Sequence, residues 1–383
     1  MFKNKKVMML ASTDNMIWQF LLPHIEEMQK NGNTVECICK KTGFWFDELQ
    51  NKYGLKCHNL PFKRNPFYPQ NFVAYRRLKK LQKENNYDLI YCQQPVGGLM
   101  GRLIGKKFKV PVFYTAHGFF FFKGSGLKKK LLYGTAEKIL ARWTDQIVTI
   151  NDEDFENAKK MKCKNVYKIS GIGLDLNKYE TADFNKENLK KELGVENKKV
   201  ILTVAEFIKR KNHKTMFKAF EELKDRDDVV YLLCGCGKYK EDFEEYVKDN
   251  KLEKKIKFLG YRKDIDKIMQ ISDIFMLLSF HEGLTLSIIE AMHFGLPVVC
   301  SSVRGNKDLI EDEKGGFVVP TTDYVVAAQK LTYLLDNPKV CEKMGKLNQK
   351  NSKQYGIENV KKELNKIYDE IDFDKKNKNK KNK

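Results

Sequence analysis

The sequence predicts an α/β protein of two doubly wound domains facing a common cleft, with a C-terminal helix docking back on one of them. Three observations predict it. Short β-rich runs alternate with amphipathic stretches from the first residues onward, which is the pattern of parallel strands joined by crossover helices. That alternation occurs in two series separated by a polar stretch, and a chain of 383 residues exceeds what one hydrophobic core usually supports. After the second series, Val360, Leu364, Ile367 and Ile371 recur at helical spacing, enough for one docked helix and too little for a domain.

In the first series the apolar runs Val7–Ser12, Thr34–Cys39, Leu55–Leu60, Asp88–Gln93, Val110–His117, Gln146–Asn151 and Val166–Ile169 read as strands. Helical patterns lie between them at Asn15–Lys30, Asn71–Glu84, Gly98–Lys107, Leu127–Trp143 and Glu153–Lys162. A glycine-containing turn, Gly171 to Asp175, and the polar region Lys178 to Lys199 suit an interdomain connection. The second series has strands at Lys199–Ala205, Val229–Cys234, Ile256–Gly260, Ile274–Ser279, Val298–Ser302 and Gly316–Val319. Helices again intervene, notably His213–Leu223, Lys238–Asn250, Asp264–Ile271 and Thr285–Phe294. The expected divisions are residues 1–175, 176–352, a C-terminal helix at 353–372 and a tail at 373–383.

Composition narrows the function classes. Lysine and arginine number 71 against 50 acidic residues, a net charge of +21, and six of the lysines fall in Lys375 to Lys383. That Lys/Asn tail reads as disordered. The remaining excess would attract nucleic acid, anionic lipid or phosphorylated substrates without choosing among them. Nine cysteines without zinc-ligand spacing suit a reduced cytoplasmic chain with buried thiols. The apolar run Val7 to Ala11 is too short for a signal-peptide core, and no stretch is long enough to span a membrane.

Chemistry is expected at the carboxyl ends of the strands, where open α/β sheets bind ligands. The segment His281-Glu282-Gly283-Leu284-Thr285-Leu286-Ser287-Ile288-Ile289-Glu290 follows an apolar strand and enters a helix. The free N–H groups at such a helix mouth, with its dipole, favour a phosphate. Glu282 would sit beside that phosphate and Glu290 about two turns along, each able to accept hydroxyl protons. Two solvated helix-surface carboxylates are the plainer alternative, but the surrounding face is apolar and needed for a core. Arg210 and Lys211, in the turn after the strand Lys199–Ala205, could neutralise a diphosphate leaving group or simply form a solvated basic loop. His117, beside Gly118 at a strand end, is either a structural hydrogen bonder or a site residue. The first strand is followed by Ser12-Thr13-Asp14-Asn15 rather than a dinucleotide fingerprint, and no GxxxxGK[ST] loop is present. The histidines lack a two-His helical spacing, so no metal is expected.

These residues resemble the retaining GT-B glycosyltransferases of family 4, whose signature is two glutamates with seven residues between them. Glu282-Gly283-Leu284-Thr285 through Glu290-Ala291-Met292, followed by Gly295-Leu296-Pro297-Val298-Val299, is close to that pattern. Gln94-Pro95-Val96-Gly97-Gly98, Thr115 to Phe119, Lys123-Gly124, Gly260 to Asp264 and Arg304 to Ile310 resemble a bacterial subgroup. That subgroup builds capsular, exopolysaccharide or lipid-linked oligosaccharides. The resemblance covers roughly residues 5 to 370. It implies two Rossmann-like domains, an acceptor-binding one first and a nucleotide-sugar-binding one second.

It also implies transfer of a hexose or N-acetylhexosamine from a UDP-sugar, with retention, to a saccharide acceptor, without metal or cofactor. Glu282 would bind sugar hydroxyls, the amides of Gly283, Leu284 and Thr285 the diphosphate, and Glu290 the ribose. Lys211 with Arg210 would stabilise the departing UDP, His117 would touch the donor sugar, and Tyr261 and Arg262 would border the base. Where many members carry Gly-Gly after the first strand, Thr13, Asp14 and Asn15 stand here as acceptor-side candidates; where many carry arginine, Glu206 stands.

Phe119 to Lys123, followed by Leu127-Lys128-Lys129-Lys130-Leu131-Leu132-Tyr133, could lie on an anionic leaflet or line the core. On the membrane reading, the acceptor is a polyprenyl-diphosphate-linked saccharide and the chain is peripheral at the inner face of the cytoplasmic membrane. A nucleotide-sugar epimerase or soluble sugar synthase of the same fold is the second enzyme reading. From another class, the charge could serve nucleic acid, but no recognisable nucleic-acid-binding module accompanies it, so no nucleic-acid partner is expected.

Overall fold

The computed structural model describes residues 1–179 and 184–374, so the Lys375 to Lys383 tail lies outside the described residues. The chain forms two compact units, one of Met1–Gly173 with the segment from Ile357 onward, the other of Leu174–Gly356. The division falls at Gly173, whose φ of +83° and close approach to Ile357 suit glycine.

The first unit is built on seven strands: β1 (Lys6–Thr13), β2 (Thr34–Lys40), β3 (Lys56–Asn59), β4 (Leu89–Gln93), β5 (Val112–Ala116), β6 (Gln146–Thr149) and β7 (Asn165–Lys168). They pair in the order β3-β2-β1-β4-β5-β6-β7, all parallel. The central strands are buried along their length because helices cover both faces. The second unit carries β8 (Lys199–Val204), β9 (Val229–Cys234), β10 (Ile256–Gly260), β11 (Ile274–Leu277), β12 (Val298–Ser301) and β13 (Gly316–Val319). Their order is β10-β9-β8-β11-β12-β13, again parallel. Each sheet therefore reverses direction once, between β1 and β4 and between β8 and β11, and those two points are where such sheets open a crevice.

The C-terminal helix, Ile357–Asp369, returns to the first unit. Gln146 donates to the Ile367 carbonyl at 3.1 Å, and Glu363 accepts from the Ser170 amide and hydroxyl at 2.7 and 2.8 Å. Tyr368 packs edge-on to Tyr91 and tilted against Phe113.

The structure adds to the sequence expectation, most plainly in the helices Tyr324–Asp336 and Pro338–Ser352 of the second unit. The region Lys178 to Lys199 contains a helix, Lys186–Glu192, whose Leu189 joins the second core; with one buried position it has no readable period. Trp45–Asn51 is likewise a short helix resting on Phe46 and Leu49. The first helix is not uniform, because Ile17–Leu21 winds as a π-helix between Asp14–Met16 and Leu22–Lys30. All nine cysteines are free thiols.

Candidate functional site

In the second unit the sheet's reversal point brings together the loops after β8 and β11. The turn Lys209–Lys211 ends at Asn212, in left-handed conformation with φ of +55°. The Asn212 side chain donates to the Leu278 carbonyl at 2.8 Å and the Thr321 carbonyl at 3.0 Å, and the Phe280 amide donates to the Arg210 carbonyl at 2.9 Å. These bonds fasten the two loops edge to edge.

Three charged side chains meet there. Arg210 Nη1 lies 2.5 Å from Glu282 Oε2, and Lys211 Nζ lies 2.7 Å from Glu282 Oε1. Arg304 Nε donates to the Glu282 carbonyl at 3.0 Å. Burial alone would raise the Glu282 pKa, but Lys211 and Arg210 outweigh it and hold the carboxyl below its usual range. Two cations on one carboxylate leave a positive balance beside the helix Leu286–His293, whose first amides have no intrahelical acceptor. The arrangement is suited to an anion.

The turn at that helix mouth is fixed from below. Thr285 Oγ1 donates to Asn306 Oδ1 at 2.6 Å, Asn306 Nδ2 to Ser301 Oγ at 3.2 Å, and Ser301 Oγ to the Ser279 carbonyl at 2.7 Å. Gly305 has φ of +80°, and a Cβ there would stand 2.5 Å from the Gly283 carbonyl oxygen. Gly305→Ala is therefore expected to push the Gly283–Thr285 turn out of place, at a cost of more than about 1 kcal/mol from backbone strain alone. Thermal melts of Gly305→Ala should show the lowered stability, and a Tm unchanged from the unsubstituted protein would contradict the close approach of Gly305 to Gly283.

Glu290 is engaged elsewhere. Its Oε1 accepts from the Tyr179 hydroxyl at 2.5 Å, and burial raises its pKa against the opposing pull of that bond and of Lys178. Tyr261 and Arg262 follow β10, the outer strand, with β9 between it and β8. Tyr261 is 72% exposed, and the Arg262 guanidinium is paired to Asp264 at 2.8 and 2.7 Å. Hydrogen bonds thus tie Arg210, Lys211 and Glu282 together beside the Gly283–Thr285 turn, while Glu290 and Arg262 are bonded to Tyr179 and Asp264.

In the first unit, His117 at the end of β5 hydrogen-bonds through Nε2 to Gln93 Oε1 at 2.7 Å, across from the end of β4. Gln94 Oε1 accepts from the Ser12 amide at 3.1 Å, joining the ends of β4 and β1. Burial, with a smaller push from His24, lowers the His117 pKa to about 4. The imidazole is neutral at pH 7. Because its folded pKa lies below the 6.5 of the free group, the unfolded chain takes up the proton first, and stability falls as pH drops from about 6.5 toward 4. An NMR titration should place the His117 midpoint near the lower value; a midpoint at 6.5 would contradict the burial seen here.

Asp14, expected on the acceptor side, is turned inward. It is fully buried and accepts from the Thr42 amide at 2.9 Å, the Gly43 amide at 3.3 Å and the Thr42 hydroxyl. Its work is to brace the loop after β2, whereas Thr13 ends β1 and Asn15 is exposed. The phenylalanine run also divides. Phe119 is core and Phe121 stacks on it at 5.0 Å, so the outward apolar side chains are Leu127, Leu131, Leu132 and Ile139 of the following helix. Among the described residues no helix is long and apolar enough to cross a membrane, and no cluster of three His, Cys, Asp or Glu could hold a metal.

Gln93, Tyr179, Arg304 and Asn306 were not assigned roles from the sequence. Gln93 leaves a signal as an amide ending a buried strand, and Arg304 and Asn306 lie in the segment Arg304 to Ile310 that carries the resemblance.

The fold is that of the GT-B enzymes: the chain superposes on Anabaena HepE, solved in complex with UDP and glucose, with a TM-score of 0.81 at 18% identity, over 96% of this chain and 100% of that one. The family described as glycosyl transferases group 1 matches residues 185–351, and that described as glycosyl transferase 4-like matches residues 6–151. An Escherichia coli protein, UDP-Gal:alpha-D-GlcNAc-diphosphoundecaprenol alpha-1,3-galactosyltransferase, is 31% identical over 88% of both chains. The putative glycosyltransferase EpsD of Bacillus subtilis is 29% identical over 98% of this chain and 99% of its own. This chain belongs to the glycosyltransferase family.

Proposed function

We propose that the protein is a retaining transferase that moves a hexose or N-acetylhexosamine from a UDP-sugar to a polyprenyl-diphosphate-linked saccharide. The observation that carries this reading is the Arg210, Lys211 and Glu282 cluster, set at the sheet's reversal point beside a helix mouth. Arg210 and Lys211 take the diphosphate, with the amides of Gly283, Leu284 and Thr285, and stabilise the charge that builds as UDP departs. Glu282, released from one of its two cations by the incoming phosphate, accepts from sugar hydroxyls. Glu290 shares its free oxygen with the ribose, and Tyr261 and Arg262 border the base. His117, a neutral imidazole, hydrogen-bonds the transferred sugar.

In the retaining step the acceptor oxygen bonds to the anomeric carbon on the face from which UDP leaves. The glycosidic C–O bond to the phosphate breaks with its electron pair going to UDP, and the leaving phosphate oxygen takes the acceptor hydroxyl's proton. No metal or cofactor enters this scheme. The lipid-linked acceptor is supported by the Escherichia coli relative's name and by Leu127, Leu131 and Leu132 standing out beside Lys128, Lys129 and Lys130, a surface suited to an anionic leaflet. The chain would act at the inner face of the cytoplasmic membrane, in surface-polysaccharide assembly. A UDP-release screen of UDP-sugars against prenyl-diphosphate saccharides tests this. Acceptor-dependent release with an α-linked product supports it, and release with no transfer to any of them, or a β-linked product, refutes it.

A further inference from the structure

Three aromatic rings pack in a row, each tilted against the next, at the carboxyl edge of the first sheet. Phe44 and Trp45 lie 3.9 Å apart between centroids at a tilt of 35°, and Trp45 and Trp18 lie 4.1 Å apart at 41°. Trp18 comes from the π-helical turn after β1, and Phe44 and Trp45 from the loop and helix start after β2. Phe44 is 62% exposed and both tryptophans are partly so.

The stack is built, not incidental. The buried Asp14 holds the Thr42 and Gly43 amides that lead into Phe44, and Phe46 and Leu49 anchor the helix that Trp45 begins. The π-turn adds a residue to the helical winding and so re-aims Trp18, the use to which such turns are put at functional sites. The Trp18 indole N–H has no acceptor among the described residues, an unmet donor at the base of the stack.

What would cover an open aromatic face is decided by its rim. Lys41 and Asp47 pair at 2.6 Å and Glu48 and Lys52 at 3.3 Å, while Asn15 and Gln19 are exposed on the adjoining turn. That rim is electrically balanced, unlike the lysine run Lys128 to Lys130. A balanced rim of amides, a carboxylate and an ammonium offers hydrogen bonds to hydroxyls and gives an anionic bilayer no attraction. A sugar ring presents the matching chemistry, an apolar C–H face with hydroxyls around it.

We propose that the exposed Phe44 ring, backed by Trp45 and Trp18, is a stacking platform for a sugar ring of the acceptor saccharide, with Asp47, Asn15 and Gln19 meeting its hydroxyls. This rests on the transferase reading above and adds to it the subsite that selects the acceptor.

The test uses the full chain carrying Trp143→Phe, so that Trp18 and Trp45 alone report by fluorescence. Three probes are compared: a short-chain prenyl diphosphate bearing one N-acetylglucosamine, the same diphosphate without sugar, and vesicles of anionic phospholipid. A saturable emission change with the sugar-bearing probe alone is the expected result. Equal response to the sugarless probe, response to vesicles only, or no response to any overturns the proposal. In turnover, Trp45→Ala and Phe44→Ala should each raise the acceptor KM about tenfold, or about 1.4 kcal/mol, with the donor KM unchanged. An unchanged acceptor KM in both variants also overturns it. Absence of transfer by the unsubstituted protein would instead refute the transferase reading, and the fluorescence result would still decide the platform.

Discussion

Glu282→Ala is expected to lower transfer at least about a hundredfold, the range seen when a preorganised charge is removed from an active site, and to destabilise the second unit. Its carboxylate is almost fully buried between Arg210 at 2.5 Å and Lys211 at 2.7 Å. Removing it leaves two cations facing one another without their anion, and breaking a buried pair on one side costs about 3–5 kcal/mol. Glu282→Gln separates the two losses, because it keeps the shape and one acceptor oxygen. It should retain more stability than alanine while losing comparable activity. Lys211→Ala, in contrast, leaves Arg210 to compensate, so its loss should appear mainly in turnover.

The pH dependence has a definite sign. The Glu282 pKa is lower in the folded chain than its ordinary 4.5, so its contribution is present above that value and is lost as acid protonates the folded carboxyl. Thermal melts of the unsubstituted protein and Glu282→Gln should therefore converge below pH 4.5. Constant separation across that range would refute the account.

The second large effect belongs to Arg102, a residue of the first unit with no proposed part in the chemistry. Its guanidinium is wholly buried and meets Glu137 with two bonds of 2.6 and 3.0 Å, donates from Nε to the Gly98 carbonyl at 2.9 Å, and lies 4.1 Å over the Tyr114 ring. Each of its three nitrogens has a hydrogen-bond partner. Arg102→Ala strands Glu137 and is expected to cost about 3–5 kcal/mol, roughly 10 °C in Tm for a unit of this size. Replacing both partners, as Arg102→Met with Glu137→Leu, removes the stranded charge and should recover most of the loss. If the double variant melts no higher than the single one, the pair is not what holds that region together.

How much of this could be read from the residues depended on the range of the interaction. Strands such as Val229–Cys234 and Ile274–Leu277 are legible because a parallel strand buried on both faces is a continuous apolar run. Glu282, Arg210 and Lys211 were legible as strand-end polar groups, and their contact follows once β8 and β11 are neighbours. Tyr179 and Glu290 touch across 111 positions of sequence, and nothing in either local pattern announces the other. The partners of Asp14 are hidden from the local sequence for a related reason. The loop that this carboxylate braces begins 28 residues on, and no local pattern after the first strand announces it.

The C-terminal helix carries a consequence for how the protein is made. Ile367 and Tyr368 close the core of the first unit, yet they leave the ribosome after every residue of the second. The unit begun first is finished last, and the intervening one, Leu174–Gly356, is in effect an insertion that can fold while its host still lacks a helix. A chain released before Ile357 would carry a complete second unit and an open first one, so termination just ahead of this helix should yield an aggregation-prone product.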